Sequence, residues 1–258
     1  MSLPDLGSVM LVGAGPGSAD LLTLRAARAI GEGEALLYDA LVPDEILTLA
    51  PRRCIRLMTG KRASRASMAQ GEINRLMLTL ARRGLRVVRL KGGDPSIFGR
   101  SGEEKAFLEA HGVSVSVIPG VTAASAAAAQ FGFPLTHRGE ARRLLIATAR
   151  VENGAVTEDG WAAGADAATT LALYMGRDHA RAIAERLIAE GRSPATPAIA
   201  VENAGQAGAR AMPATLATLA YVLEAAAPSG PVILLIGQVA ARADFASAVA
   251  LPCSWNLP

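Results

Sequence analysis

Two charged side chains and two glycine-rich loops stand where they could do chemistry. Asp39 follows Ala35-Leu36-Leu37-Tyr38, an apolar run that reads as a strand. A carboxylate at that strand end could serve as a general base or be a solvated loop acid. Lys61 follows Gly60 on the next strand-to-loop turn, where an ammonium could bind an acidic substrate, assist proton transfer or lie idle at the surface. The stretch 89–100, RLKGGDPSIFGR, follows a further short strand. Gly92 and Gly93 leave the backbone bare, and Pro95 drives Asp94 towards an extended conformation, so no helix starts before it. Loops of this kind at the carboxyl ends of strands hold ligands in open α/β sheets. Taken alone, the same residues could equally form a tight turn with no ligand.

The second loop is Gly13-Ala14-Gly15-Pro16-Gly17, after the first strand. It invites a dinucleotide reading, but its spacing is GxGxG. Ser18 stands where the third glycine of the Rossmann fingerprint belongs. Pro16 also removes an amide donor where a pyrophosphate would be cradled. Asp39 does lie where a ribose-binding acid would, which keeps an NAD enzyme open as an alternative.

Elements must carry these loops. Apolar runs place strands at 9–12, 35–38, 53–57, 85–90, 113–118, 144–148, 170–174, 197–201 and 231–236. Helical spacing appears at 21–30, with Ser18 or Asp20 as its cap, and at 43–49, 70–83, 103–110, 122–130, 179–190 and 216–225. The Gly/Ala-rich segment 151–166 reads as loop with a short helix. In the first half, strands alternating with helices predict a parallel, wound sheet, and each half reads as an α/β domain. Pro119-Gly120 marks a hinge, which divides the chain into an N-terminal α/β domain at 1–118, a C-terminal α/β domain at 119–245 and a tail at 246–258.

Composition excludes several classes. With 258 residues and 51% hydrophobic content the chain can build a sizeable core, whereas 4% aromatics leaves few platforms for stacking single-stranded bases. The net charge is +3 at a pI of about 9.2, and nearly all the positive charge is arginine, which suits carboxylate recognition. No nucleic-acid partner is expected. Cys54, Cys253 and the three histidines have no zinc spacing, so no metal is expected. Neither a signal peptide nor a run long enough to span a bilayer is visible, which predicts a soluble cytoplasmic protein without membrane contact.

The motifs in order are VGAGPGSADLLTLRA (12–26), YDALV (38–42), GKR (60–62), RLKGGDPSIFGRSGEE (89–104), IPGVTAASAAAA (118–129), PLTHR (134–138), YMG (174–176), VEN (201–203) and PVILLIGQV (231–239). Together they resemble the tetrapyrrole methylase family over nearly the whole chain. The resemblance implies two α/β domains with a ligand cleft between them, a homodimer, and S-adenosyl-methionine (SAM) as methyl donor. Carried over by position, the donor would contact Pro16, Gly92, Gly93, Asp94, Ile97, Thr122, Ala123, Met175 and the Ala204 backbone. Asp39 matches the family's proton acceptor and Lys61 its proton donor.

The acceptor so implied is uroporphyrinogen III, methylated twice to precorrin-2. Its eight carboxylates would pair with Arg138, Arg62 and Lys61. A later corrin precursor, or binding without catalysis, remains an alternative. The chain departs from the family pattern in three places. Ala204 replaces a glycine, so a glycine-only conformation would be lost there. Ala66 stands in place of a His, and Thr148-Ala149-Arg150 in place of Thr-Gly-His. The additional N-terminal module that some members carry is missing ahead of the motifs, so only the methylation step is implied.

Overall fold

The computed structural model describes residues 6–60, 68–148, 151–152, 155–156 and 162–245. Lys61, Arg62, Ala66, Ala149, Arg150 and the 246–258 tail lie outside them. The chain divides into two compact units, one running to Thr122 and the other starting at Ala123.

The first unit runs β1 (Ser8–Gly13), α1 (Leu24–Glu32), β2 (Ala35–Tyr38), α2 (Asp44–Thr48), β3 (Ile55–Met58), α3 (Gln70–Arg82), β4 (Val87–Lys91), α4 (Ser101–Glu109) and β5 (Ser114–Ile118). Its sheet has the order β3-β2-β4-β1-β5, and every neighbouring pair is parallel. Each strand is followed by a crossover, as parallel pairing demands. Both faces are covered. Val12, Leu36, Val88 and Leu90 pack with Ala26, Ile30, Ile46 and Leu47 on one face. Leu11, Leu37 and Val87 pack with Ile73, Met77 and Leu108 on the other.

Helix α1 begins later than its spacing predicts. A short 3-10 turn at Ala19–Leu21 comes first, then Leu22 and Thr23 are extended. The cap is Thr23, whose Oγ1 accepts from the Ala26 amide at 3.1 Å. Neither Ser18 nor Asp20 caps it. A Thr hydroxyl reaching the third helical amide satisfies a donor that would otherwise be orphaned.

The second unit runs α5 (Ala123–Gln130), β6 (Arg143–Thr148), β7 (Val151–Glu152), β8 (Ala155–Val156), α6 (Ala162–Ala165), β9 (Thr169–Tyr174), α7 (Ala180–Ala189), β10 (Pro197–Glu202), β11 (Arg210–Thr215), α8 (Leu219–Ala226) and β12 (Val232–Ile236). Its sheet order is β11-β10-β12-β9-β6. Unlike the first, this sheet is mixed. Only β6 and β9 pair in parallel; β10 runs antiparallel to β11 and β12, and β12 antiparallel to β9. The link from β10 to β11 carries no helix, so the chain returns beside itself as a hairpin does. Strand β11 holds Pro213 and lies at the sheet edge, where a missing amide donor is tolerated. The segment expected to be loop contains the paired strands β7 and β8.

Candidate functional site

In the first unit the register sets Tyr38 beside Leu90, Lys91 beside Gly13 and Val12 beside Ile118. The segments that begin at Asp39, Gly92, Ala14 and Pro119 therefore leave the sheet along one carboxyl edge. Two of them are knitted through their backbones. Ala14 N–H donates to Lys91 O at 2.8 Å, Gly93 N–H to Gly15 O at 2.6 Å, and Gly15 N–H to Gly93 O at 3.2 Å. Gly93 has φ +69°, left-handed backbone that suits glycine. A Cβ on Gly120 would lie 2.3 Å from Gly93 O, and one on Gly13 2.6 Å from the Gly120 Cα. The glycines at 13 and 120 are thus required by close approach of main chains. The Gly13 loop leads into a single 3-10 turn and then extended chain, not into an α-helix N-terminus, which removes the pyrophosphate cradle of the NAD alternative.

Asp94 braces this junction. Its Oδ1 accepts from Ser96 N–H at 2.7 Å and from the Ser96 hydroxyl, and its Oδ2 accepts from Gly120 N–H at 2.9 Å. Burial alone would raise the Asp94 carboxyl. The bonds from Ser96 Oγ, Gly120 N–H and Ser96 N–H outweigh it and hold the group below the usual carboxylate range. Ile97 N–H closes a turn onto Asp94 O at 3.1 Å. Above this floor Gly92 has room, since a Cβ there would meet Leu41 only at 3.5 Å. Pro16, Ile97 and Thr122 are half-buried in the same unit.

Asp39 is held from below. Its Oδ1 accepts from Arg89 Nη2 at 2.5 Å and from Thr59 Oγ1 at 3.3 Å. Its Oδ2 has no hydrogen-bond donor among the described residues. Arg89 is buried on the face of β4 that looks onto α3 and α4, as is Lys91. Glu104, from the first turn of α4, lies between them with no exposed surface. It accepts from Lys91 Nζ at 2.9 and 3.0 Å, from Arg89 Nε at 3.4 Å and from Gln70 Nε2 at 2.9 Å. Burial and the neighbouring Arg89 lower the Lys91 pKa, and Glu104 offsets this only in part.

Sequence reasoning misses this cluster. Val87-Val88-Arg89-Leu90-Lys91 alternates apolar and polar, the pattern of a half-exposed strand, yet β4 is central and buried on both faces. Two cations on one face of a strand flanked by helices are the signal that could have found it.

In the second unit β9 and β10 run in the same direction with β12 between them, so their carboxyl ends share an edge. Met175, exposed with φ +55°, leaves β9 there, and Asn203, with φ +53°, leaves β10. Tyr174 Oη accepts from Ala124 N–H at 3.1 Å, which ties the start of α5 to the Met175 turn. Ala123, Tyr174 and Ala204 belong to one apolar cluster. Ala204 is buried, and the left-handed positions are its neighbours Asn203 and Gly205. The expected loss of a glycine-only conformation does not arise at 204.

Arg138 projects from a turn closed by His137 N–H to Ala141 O and Ala141 N–H to His137 O, both 2.9 Å. It lines a shallow hollow of about 270 Å³ with Thr136, His137, Ala141 and Arg142. Neither Arg138 nor Arg142 has a carboxylate partner among the described residues.

The family model for Tetrapyrrole (Corrin/Porphyrin) Methylases matches residues 8–220. The chain belongs to the tetrapyrrole methylase family. This methylase is 47% identical over 242 residues to a siroheme synthase of Xylella fastidiosa, covering 94% of the chain and 51% of that relative. A siroheme synthase of Tolumonas auensis is 45% identical, with 92% and 50% covered. The chain thus spans about half the length of the curated relatives it matches. Among solved structures, uroporphyrin-III C-methyl transferase from Thermus thermophilus complexed with S-adenyl homocysteine is 39% identical, with a TM-score of 0.77 over 95% of this chain and 98% of that one. A cobalt precorrin-4 methyltransferase of cobalamin biosynthesis is 26% identical, with a TM-score of 0.82 over 90% and 95%. Among the described residues no group of three or more His, Cys, Asp or Glu is placed to hold a metal, and no helix is long and apolar enough to cross a membrane.

Proposed function

We propose that this methylase transfers methyl groups from SAM to ring carbons of uroporphyrinogen III, giving precorrin-2 and S-adenosyl-homocysteine. The observation that carries the reading is Asp39, fixed by Arg89 on the same sheet edge as the bare Gly92 floor. Likeness to the Thermus uroporphyrin-III C-methyl transferase, which holds S-adenyl homocysteine, supports the donor and the acceptor class.

The residues fit such a donor. Gly92 presents backbone without a side chain, in a space that a Cβ would enter. Pro16, Gly93, Asp94, Ile97 and Thr122 frame that floor in the first unit. Ala123, Met175 and Ala204 are the donor residues assigned to the second. SAM supplies a methyl group on a sulfonium, already electrophilic, so that carbon–sulfur cleavage leaves a neutral thioether as the new carbon–carbon bond forms. The chain's task is to align the acceptor carbon and exclude water.

Methylation leaves the acceptor ring cationic, and loss of one proton restores neutrality. Asp39 takes that proton on Oδ2, while Oδ1 stays bonded to Arg89 and Thr59. Lys61, two residues after Thr59 in the chain, is assigned as proton donor by the resemblance. Arg138 and Arg62 pair with the acceptor's carboxylates, joined by Arg142, which lines the same hollow as Arg138. The working state is a cytoplasmic homodimer.

Anaerobic incubation with SAM and uroporphyrinogen III tests the reading: it predicts a doubly methylated product, heavier by two CH2 units because each methyl replaces a proton. SAM binding with no methylated tetrapyrrole would contradict it. A methylase of a later corrin precursor is the second reading, favoured by the precorrin-4 enzyme's TM-score of 0.82 but set behind by its 26% identity.

A further inference from the structure

We propose that Glu104 is a positioning residue for methyl transfer: it fixes Arg89 and, through Arg89, aims the carboxylate of Asp39. The inference rests on Asp39 being the proton acceptor, as assigned above.

Glu104 has no exposed surface, so it acts only through its neighbours. Arg89 divides its nitrogens among three acceptors. Nε donates to Glu104 Oε1, Nη1 to Leu90 O at 3.1 Å, and Nη2 to Asp39 Oδ1. A guanidinium is a rigid planar fork. Anchoring Nε and Nη1 therefore sets the direction of Nη2, and with it the oxygen of Asp39 that is held and the oxygen that is left open.

Charge leads to the same residue. Arg89 and Lys91 are two buried cations two positions apart on one strand face. Glu104 and Asp39 are the anions that balance them. Glu104 takes Lys91 to itself with both oxygens, at 2.9 and 3.0 Å, which leaves Arg89 as the cation at Asp39. Without Glu104, Lys91 would compete for Asp39 and Arg89 would lose an anchor.

Two left-handed residues precede the helix that carries Glu104. Phe98 and Arg100, with φ of +51° and +56°, swing the turn into α4 so that its first turn dips beneath β4. Left-handed backbone at non-glycine residues is costly and concentrates where function needs it. Leu108, one helical turn later, shows that this face of α4 is core. Truncating the carboxylate would leave Lys91 and Arg89 buried without their anion, so the test uses a variant of the same shape.

The test is Glu104→Gln beside wild type, with the SAM dissociation constant, the KM for uroporphyrinogen III and kcat measured separately. The expected result is a kcat at least tenfold lower, with SAM affinity and KM within about twofold. Unchanged kcat, or SAM affinity falling in step with kcat, would overturn the inference. If Glu104→Gln does not fold, Glu104→Asp keeps the charge but draws it back by one methylene, and the same split between kcat and binding decides. Wild type that forms no methylated product would defeat the underlying reading instead, whereas active wild type with an equally active variant defeats the role of Glu104 alone.

Discussion

Asp39 uses one carboxylate oxygen to hold its place and leaves the other without a donor among the described residues. That division depends on Arg89 and Thr59, and neither is evident from the Tyr38-Asp39 pair alone. Asp94 does the opposite: both of its oxygens are taken by its own loop and by Gly120. Its bonds hold the backbone of the junction in place. Its lowered pKa means that folding favours the carboxylate. The stability it supplies is fully present above the unfolded value near about pH 4 and is lost as pH falls through the folded value. Asp94→Asn should therefore destabilise the protein by about 1–3 kcal/mol at neutral pH. Thermal melts from pH 7 downward should show the gap to wild type closing in acid. Gly92→Ala makes a sharper test of the floor. Its Cβ meets only Leu41 at ordinary distance, so the melting temperature should hold while SAM affinity falls at least tenfold by titration.

At the scale of elements, function rests on three loops that touch main chain to main chain. Gly120→Ala would press a methyl group into Gly93 O, and should lower stability by about 1–3 kcal/mol or more in a denaturant melt while weakening SAM binding. Gly92→Ala, in the same junction, is expected to leave stability unchanged. Most elements were legible because apolar spacing reports the core directly, as at Ile73, Met77, Leu80 and Ala81 of α3. The failures have local causes. Thr23 took the cap of α1 because its hydroxyl reached Ala26. Pro213 disguised β11, which survives as an edge strand. Arg89 and Lys91 looked like the wet side of a strand, and only the position of β4 between β2 and β1 makes them buried. The catalytic candidate was thus readable from sequence, but the residues that hold it were not, because buried polar contacts join elements far apart in the chain.

Across the whole molecule, each unit has its own sheet with apolar clusters on both faces. One sheet is all parallel and the other mixed. Helix content between strands predicts crossovers, and it is the short helix-free return at β10–β11 that breaks the pattern. The low aromatic content and scattered arginines fit an acidic small molecule as partner better than a nucleic acid. Light scattering on a sizing column should give twice the chain mass, as the homodimer assignment requires. A monomer at micromolar concentration would contradict it. The central claim is that Asp39 completes methyl transfer to uroporphyrinogen III. It is tested most directly by anaerobic incubation with SAM, reading product mass for wild type and Asp39→Asn. The account predicts a doubly methylated product from wild type and a rate lower by about 10²–10⁴-fold in the variant, with SAM affinity retained. A fully active Asp39→Asn enzyme, or wild type that binds SAM and methylates nothing, would contradict it.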